Sequence, residues 1–374
     1  MKVLVPFGTR PEIVKLAPVV AALRAAGASV HTIATGQHYD AALTDTFFRD
    51  LKLSPDARWS LPNGEGERLG AMLAAAHVTI GRTRPDAVVL LGDTHTVPIF
   101  ALAGRQHRVP IVHVEAGLRS FNETSVEEVN RRVAAATASL HFAPTELAAR
   151  MLHNEGVAAE RVRVVGNPIC DALRTSGVTR RPWQERRGAV VTAHRPTNVD
   201  DRGRLTTLCD VLAELARDFT PVTFPVHPRT AARLDEFGLG AGLRAAGVDL
   251  QPPVPYGAML DLVAGAQLVV TDSGGLQEEA AWFGVPVVVL RHSTPRWEGV
   301  VAGASLLTGL EAGRVLDAVA QLSTEDARAR IDALPCPYGD GYSAGRIADV
   351  LLAPETAGLL ALREPDLAAP PALV

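Results

Sequence analysis

Apolar residues along this chain fall into short continuous runs, separated by longer stretches in which apolar positions recur at helical spacing. One series of runs occupies 2–6, 30–34, 87–91, 110–114, 140–143 and 162–165, and a second occupies 189–193, 222–226, 248–251, 268–271 and 286–290. Many are unbroken Val/Ile/Leu segments rather than alternating ones. Strands buried on both faces, in parallel sheets covered by helices, look like that. The stretches 12–25, 41–51 and 204–217 show the helical period. The pattern β-α-β-α, run through twice, predicts an α/β fold of two Rossmann-like doubly wound domains facing a central cleft. The boundary is expected within 166–185, giving domains at 1–170 and 171–352. The Ala/Pro/Leu-rich stretch 353–374 is expected to be a frayed or loosely docked tail.

Length and composition narrow the class. A chain of 374 residues is comfortable for two domains, and 47% apolar with 21% charged residues reads as soluble and globular. The net charge of -4 disfavours nucleic acid as a partner. Three scattered cysteines make neither a disulfide framework nor a zinc site. The first apolar run is too short for a signal peptide, and no run reaches the roughly 20 residues of a membrane span. A cytoplasmic protein, not membrane-bound, is expected.

In doubly wound folds the residues just after the strands carry the chemistry. After the first strand, Gly8-Thr9-Arg10-Pro11 leads into a helix, with Arg10 and Lys15 near its N-terminus, a place suited to an anion. Solvated surface charge is an equally good reading of those two residues alone. Asp93, considered alone, reads best as a helix N-cap. His113 and Glu115 have the spacing of a metal pair, but no third ligand is near in sequence, so no metal is expected. Ser125 and Glu128 form a capping-box pattern, which leaves Glu127 to point elsewhere. Asp93, Glu115 and Glu127 thus come from the C-terminal edge of one sheet, as acid–base chemistry on a sugar requires.

In the second half, His194 and His227 each end a strand beside an arginine. Either is more often structural when alone; the pair tilts toward phosphate binding. The sharpest signal is the strand at 268–271 running into Asp272-Ser273-Gly274-Gly275 and a helix. Bare backbone at Gly274 and Gly275 lets N–H groups approach a pyrophosphate, and Glu279 can accept from ribose hydroxyls. Arg296 adds a cation near the same strand layer. The run Gly238–Gly242 is a decoy, since no strand leads into it.

This combination resembles the non-hydrolysing UDP-N-acetylglucosamine 2-epimerases. The shared stretches are Gly8-Thr9-Arg10-Pro11-Glu12 with Lys15, Thr35-Gly36-Gln37-His38, Gly92-Asp93-Thr94, His113 through Arg119, Glu127 through Arg131, Phe142 through Glu146, His194-Arg195, Pro225 through Pro228, Asp272 through Glu279, and Pro337 through Gly341. The resemblance runs from Phe7 to about Ile347. It implies a GT-B-like fold, usually dimeric, with no metal and no nicotinamide cofactor. It further implies that Asp93, Glu115, Glu127 and His194 react, while Arg10, Lys15, His227, Ser273, Gly274, Gly275, Glu279 and Arg296 hold the UDP-sugar. This chain departs from the family pattern at Ser125-Val126, Pro196-Thr197, Thr294 through Glu298, and Glu67-Arg68-Leu69. The departures near 197 and 67 point to lost or altered activation by a second UDP-sugar. A hydrolysing 2-epimerase, a GT-B glycosyltransferase and a non-catalytic UDP-sugar sensor are the competing readings.

Overall fold

The computed structural model describes residues 1–36, 48, 53–362 and 364. It divides into two compact units. The first comprises Met1–Gly117, Ser125–Val165 and Ala344–Val374; the second comprises Leu118–Thr124 and Gly166–Ser343.

Among the described residues, the first unit holds a seven-stranded parallel sheet: β1 (Lys2–Phe7), β2 (Ser29–Ala34), β3 (Ala57–Arg58), β4 (Ala87–Leu91), β5 (Ile111–Val114), β6 (Leu140–Ala143) and β7 (Val162–Val164), in the order β3-β2-β1-β4-β5-β6-β7. One face of the sheet packs Phe7, Val89 and Val112 against Ile13, Leu16 and Val20 of helix Arg10–Ala25. The other packs Leu4, Val88 and Leu90 against Phe100 and Ala103 of helix Thr96–Gln106. Strands covered on both sides need apolar residues at every position, which is why β4 reads Ala-Val-Val-Leu-Leu.

The second unit holds a six-stranded parallel sheet: β8 (Ala189–Thr192), β9 (Val222–Pro225), β10 (Val248–Gln251), β11 (Leu268–Thr271), β12 (Val287–Val289) and β13 (Ser305–Leu307), ordered β10-β9-β8-β11-β12-β13. Its core joins Val191, Phe224, Val270 and Val288 to Leu208 and Leu212 of helix Arg202–Asp218 and Val315 of helix Ala312–Ser323. Both expected domains are therefore Rossmann-like. Short edge strands β3 and β13 were not expected; each pairs with a single neighbour and needs no long apolar run.

The chain does not divide into two continuous halves, as the expected 1–170 and 171–352 would have it. Loop Leu118–Thr124 clusters with the second unit, and the chain returns to the first at Ala344. Ala344, Ile347 and Leu351 of helix Ser343–Leu352, with Leu360 of helix Thr356–Leu360, join the core around Phe7 and Val89. Residues 353–360 are thus docked through apolar contacts rather than frayed. Residues 363 and 365–374 of the expected tail, most of the expected helix at 41–51, and Gln37 and His38 lie outside the described residues. Among those described, no helix is long and apolar enough to cross a membrane.

Candidate active site

In the first sheet β1 and β4 are neighbours, but the chain runs on from them toward opposite edges. Such a divergence leaves a crevice outside the strands' carboxyl ends. Glu12, in the first turn of helix Arg10–Ala25, ties the two ends together. Its carboxylate accepts from the N–H of Gly8 (2.9 Å), the N–H of Thr9 (2.8 Å), the Thr9 hydroxyl (2.9 Å) and, after β4, the Thr94 hydroxyl (2.9 Å). Burial drives the Glu12 carboxyl upward and these donors pull it back, leaving it raised to about 7.

Glu115 follows β5 with φ of 65°, a left-handed conformation that costs a non-glycine residue about 1–2 kcal/mol. Gly117, at φ 86°, completes the turn; a Cβ there would stand 2.1 Å from the Ala148 carbonyl oxygen. The Glu115 carboxylate is buried and meets the Lys15 ammonium at 2.6 Å. Its Oε2 lies 3.5 Å from the place a Cβ on Gly92 would take, so it runs beside the turn that carries Asp93. His113 reaches the same turn, with Nε2 2.9 Å from the Gly92 carbonyl oxygen. The two side chains converge on Gly92, but strand alternation does not put Glu115 there. It lies past the strand end, and the left-handed turn aims it.

Asp93 is not the N-cap that its sequence context favours; His95 occupies that position before helix Thr96–Gln106. The Asp93 carboxylate instead receives Arg131 Nε (3.2 Å) and Nη2 (3.1 Å), while Asn130 Nδ2 donates to its carbonyl (2.8 Å). Both partners lie on helix Val126–Thr137, whose first turn carries Glu127. The expected capping box at Ser125 and Glu128 does not form. Glu128 pairs with Arg131 Nη1 at 2.8 Å, and the Ser125 hydroxyl donates to Glu127 at 2.5 Å. A buried guanidinium binds a carboxylate more strongly than a backbone N–H does. Arg10 is exposed at the start of its helix, whereas Lys15 is buried and engaged with Glu115.

In the second sheet the divergence falls between β8 and β11. Thr192 and Thr271, paired across these strands, have hydroxyls 2.6 Å apart. Beyond them lie His194 and Asp272, with Nδ1 to Oδ1 at 3.1 Å. Ser273 caps helix Gly274–Phe283, its hydroxyl accepting from Leu276 N–H at 3.5 Å. A Cβ on Gly274 would touch the Arg296 guanidinium carbon at 3.5 Å, and one on Gly275 would meet nothing within 4 Å. Arg296 lies over this turn with Nε 2.8 Å from Glu278 Oε1, and Asn167 Nδ2 reaches the same oxygen at 3.1 Å. Glu279 is buried one turn further along. Burial first, and the Glu279 charge second, hold the Tyr256 hydroxyl well above its usual range, so Tyr256 stays protonated beside that carboxylate. His227 caps helix Pro228–Phe237, its Nδ1 accepting from Arg229 N–H at 3.2 Å, and its ring lies 5.4 Å from that of His194.

The structure therefore gathers Lys15, Asp93, Glu115 and the Glu127 helix at one divergence, and His194, His227, Ser273, Gly274, Gly275, Glu279 and Arg296 around the other. Sequence reasoning did not assign Glu12, Arg131, Asn198 or Asp272. The i,i+3 spacing of Glu128 and Arg131 was a usable signal; the clamp made by Asn198 and Asp272, 74 residues apart, had none.

A family model described as UDP-N-acetylglucosamine 2-epimerase matches residues 21–352. A UDP-N-acetylglucosamine 2-epimerase of Methanocaldococcus jannaschii is 36% identical over 367 residues, 94% of this chain and 99% of the relative. A UDP-2,3-diacetamido-2,3-dideoxy-D-glucuronate 2-epimerase of Pseudomonas aeruginosa is 34% identical, covering 94% of this chain and 99% of the relative. The crystal structure of the Neisseria meningitidis UDP-GlcNAc 2-epimerase bound to UDP-GlcNAc superposes with a TM-score of 0.85 at 30% identity, covering 94% of this chain and 100% of that one. The GT-B-like fold of two Rossmann-like units is shared with that enzyme.

Proposed function

Because the chain belongs to the UDP-N-acetylglucosamine 2-epimerase family, we propose that it inverts carbon 2 of UDP-N-acetylglucosamine, giving UDP-N-acetylmannosamine by elimination and re-addition of UDP. One observation carries this reading. The helix that bears Glu127 also holds Asp93, through Asn130 and Arg131, at the turn where Glu115 arrives beside Gly92. This supports reading Asp93, Glu115 and Glu127 as one set, each with a donor beside it.

The proton on C2 is too weakly acidic for a carboxylate to remove outright. Its loss is coupled to departure of UDP from C1, so the C2–H and C1–O bonds break as a C1–C2 double bond forms. A carboxylate of the first unit takes the proton from one face, and another returns one on the opposite face. In the second unit Ser273, Gly274 and Gly275, with Arg296 and His227, hold the diphosphate through N–H donors and positive charge. Glu279 takes the ribose hydroxyls. Arg10 and Lys15 complete the set of cations.

A homodimer is proposed as the working form. Leu73 and Val78 of helix Glu65–Thr83, Leu102 of helix Thr96–Gln106 and Val129 of helix Val126–Thr137 are exposed on neighbouring helices of one sheet face. A patch of that kind is normally covered. Three scattered cysteines that form no disulfide framework suit the cytoplasm.

The test is a proton NMR time course with UDP-N-acetylglucosamine in deuterated water. Deuterium at C2, with UDP-N-acetylmannosamine and no free sugar, supports the proposal. Free N-acetylmannosamine plus UDP would move the protein to the hydrolysing class. UDP binding without exchange would point to another sugar, as in the diacetamido-glucuronate relative.

A further inference from the structure

We propose that Asp272, clamped by Asn198, is a positioning residue that fixes the His194 imidazole, so that only Nε2 exchanges a proton with the departing diphosphate. The inference deepens the epimerase reading and rests on it.

Asp272 stands at the end of β11 and is fully buried. Its carboxylate receives His194 Nδ1 (3.1 Å), the His194 N–H (3.1 Å to Oδ2), the Arg195 N–H (2.9 Å) and Asn198 Nδ2 (3.1 Å). Asn198 is fixed in turn: Nδ2 also reaches the Leu290 carbonyl at 3.0 Å, and Oδ1 accepts from Arg204 Nη2 at 3.1 Å. The amide therefore cannot turn its oxygen toward Asp272. Burial pushes the Asp272 carboxyl up, but His194, the Arg195 N–H and Asn198 outweigh it and hold the group below the usual carboxylate range.

An ionised carboxylate only accepts, so His194 Nδ1 carries a hydrogen, and Nε2 is the ring nitrogen left to face a ligand. The side chain is 40% exposed, so Nε2 is within reach of a ligand. The neighbouring His227 has the opposite polarity. Its Nδ1 accepts from Arg229 N–H, which leaves Nε2–H as a donor. Burial first, then His194 and Arg229, lower its pKa and keep it neutral. Two rings 5.4 Å apart thus divide the work. His227 donates one fixed hydrogen bond to a phosphate oxygen. His194, as imidazolium, gives its Nε2 proton to the bridging oxygen as the C1–O bond breaks, and takes it back when UDP re-adds. Asp272 stays a carboxylate throughout, and the C2 proton goes to the first unit.

The test uses the full-length protein with Asp272→Asn and Asn198→Ala. Ring nitrogen-15 shifts of His194, assigned with His194→Gln, report the tautomer; C2 deuterium exchange reports turnover; calorimetry reports UDP affinity. Wild-type protein is expected to show the Nδ1–H tautomer. Asp272→Asn is expected to lose that preference and about 10²–10⁴-fold in kcat, while the Kd for UDP changes by less than about threefold. Asn198→Ala, which leaves the carboxylate in place, is expected to lose about tenfold in kcat, and it keeps the question open should Asp272→Asn not fold. Variants that retain both the wild-type tautomer and kcat would overturn the proposal. Wild-type protein that exchanges no deuterium would instead sink the epimerase reading, and the nitrogen shifts would still decide whether Asp272 fixes the ring.

Discussion

The strand ends of the two sheets solve different problems with different materials. In the first unit, charge is paired inside the protein: Lys15 with Glu115 at 2.6 Å, and Arg131 with both Asp93 and Glu128, all but Asp93 deeply buried. The backbone there is strained at Glu115 to aim a carboxylate. In the second unit, bare backbone at Gly274 lies beside Arg296 at a helix N-terminus, and the His194 and His227 imidazoles stand 5.4 Å apart. The first end pairs Lys15 and Arg131 with its own carboxylates, which suits a site that moves protons. The second presents donors, as a site that holds an anion requires. Two sheets of the same architecture therefore differ in the groups that the few residues beyond their strands present.

That contrast is sharpest where a change hits one end and spares the other. Glu115→Gln is expected to lower C2 exchange by about 10²–10⁴-fold with UDP affinity intact. Loss of UDP binding in parallel would erase the division of labour. Lys15→Met leaves the Glu115 carboxylate buried without its ammonium and is expected to cost about 3–5 kcal/mol of stability in denaturant unfolding. A cost near zero would show the pair to be dispensable. Gly274→Ala is sterically tolerated, since the nearest atom would be 3.5 Å away. It is expected to weaken UDP by about tenfold with an unchanged melting temperature, because the methyl occupies the approach of the pyrophosphate.

Glu12 gives a pH-dependent effect on stability. Its carboxyl is raised from 4.5 to about 7 in the fold, so its contribution to stability is fully present below the unfolded value and is lost as pH rises through about 7. Relative to Glu12→Gln, the wild type is expected to lose about 3 kcal/mol between about pH 4.5 and about pH 7. Parallel stability curves would show that the four donors cancel the burial. Leu102→Glu, on the exposed apolar helix face, is expected to turn a dimer into a monomer by light scattering while leaving UDP affinity unchanged.

Most of the strand pattern was readable because both sheets are parallel and doubly covered, so that burial imposes unbroken apolar runs. The strands β3 and β13 escaped because they are only two and three residues long, too short to show as apolar runs of their own. The Ser273-Gly274-Gly275 turn was readable because its chemistry is local: a strand, bare backbone and a helix start within a few residues. Asp93, considered alone, reads as a cap because its partner, Arg131, lies 38 residues away. The Ser125–Glu128 box failed for the same reason in reverse, as a buried guanidinium outcompeted a backbone donor.

The amino-acid order alone determined which segments become buried strands, which turns after them offer bare backbone at a helix start, and which acids and imidazoles sit at strand ends, because each depends on residues close in the chain. Only the tertiary structure decided that 344–360 packs on the first unit, that Lys15 belongs to Glu115, that Glu12 joins two strand ends, and that Asp272 and Asn198 fix His194. Those outcomes depend on which distant groups share a water-poor site. There an unpaired charge is too costly to leave, and the partner that comes nearest fixes the geometry.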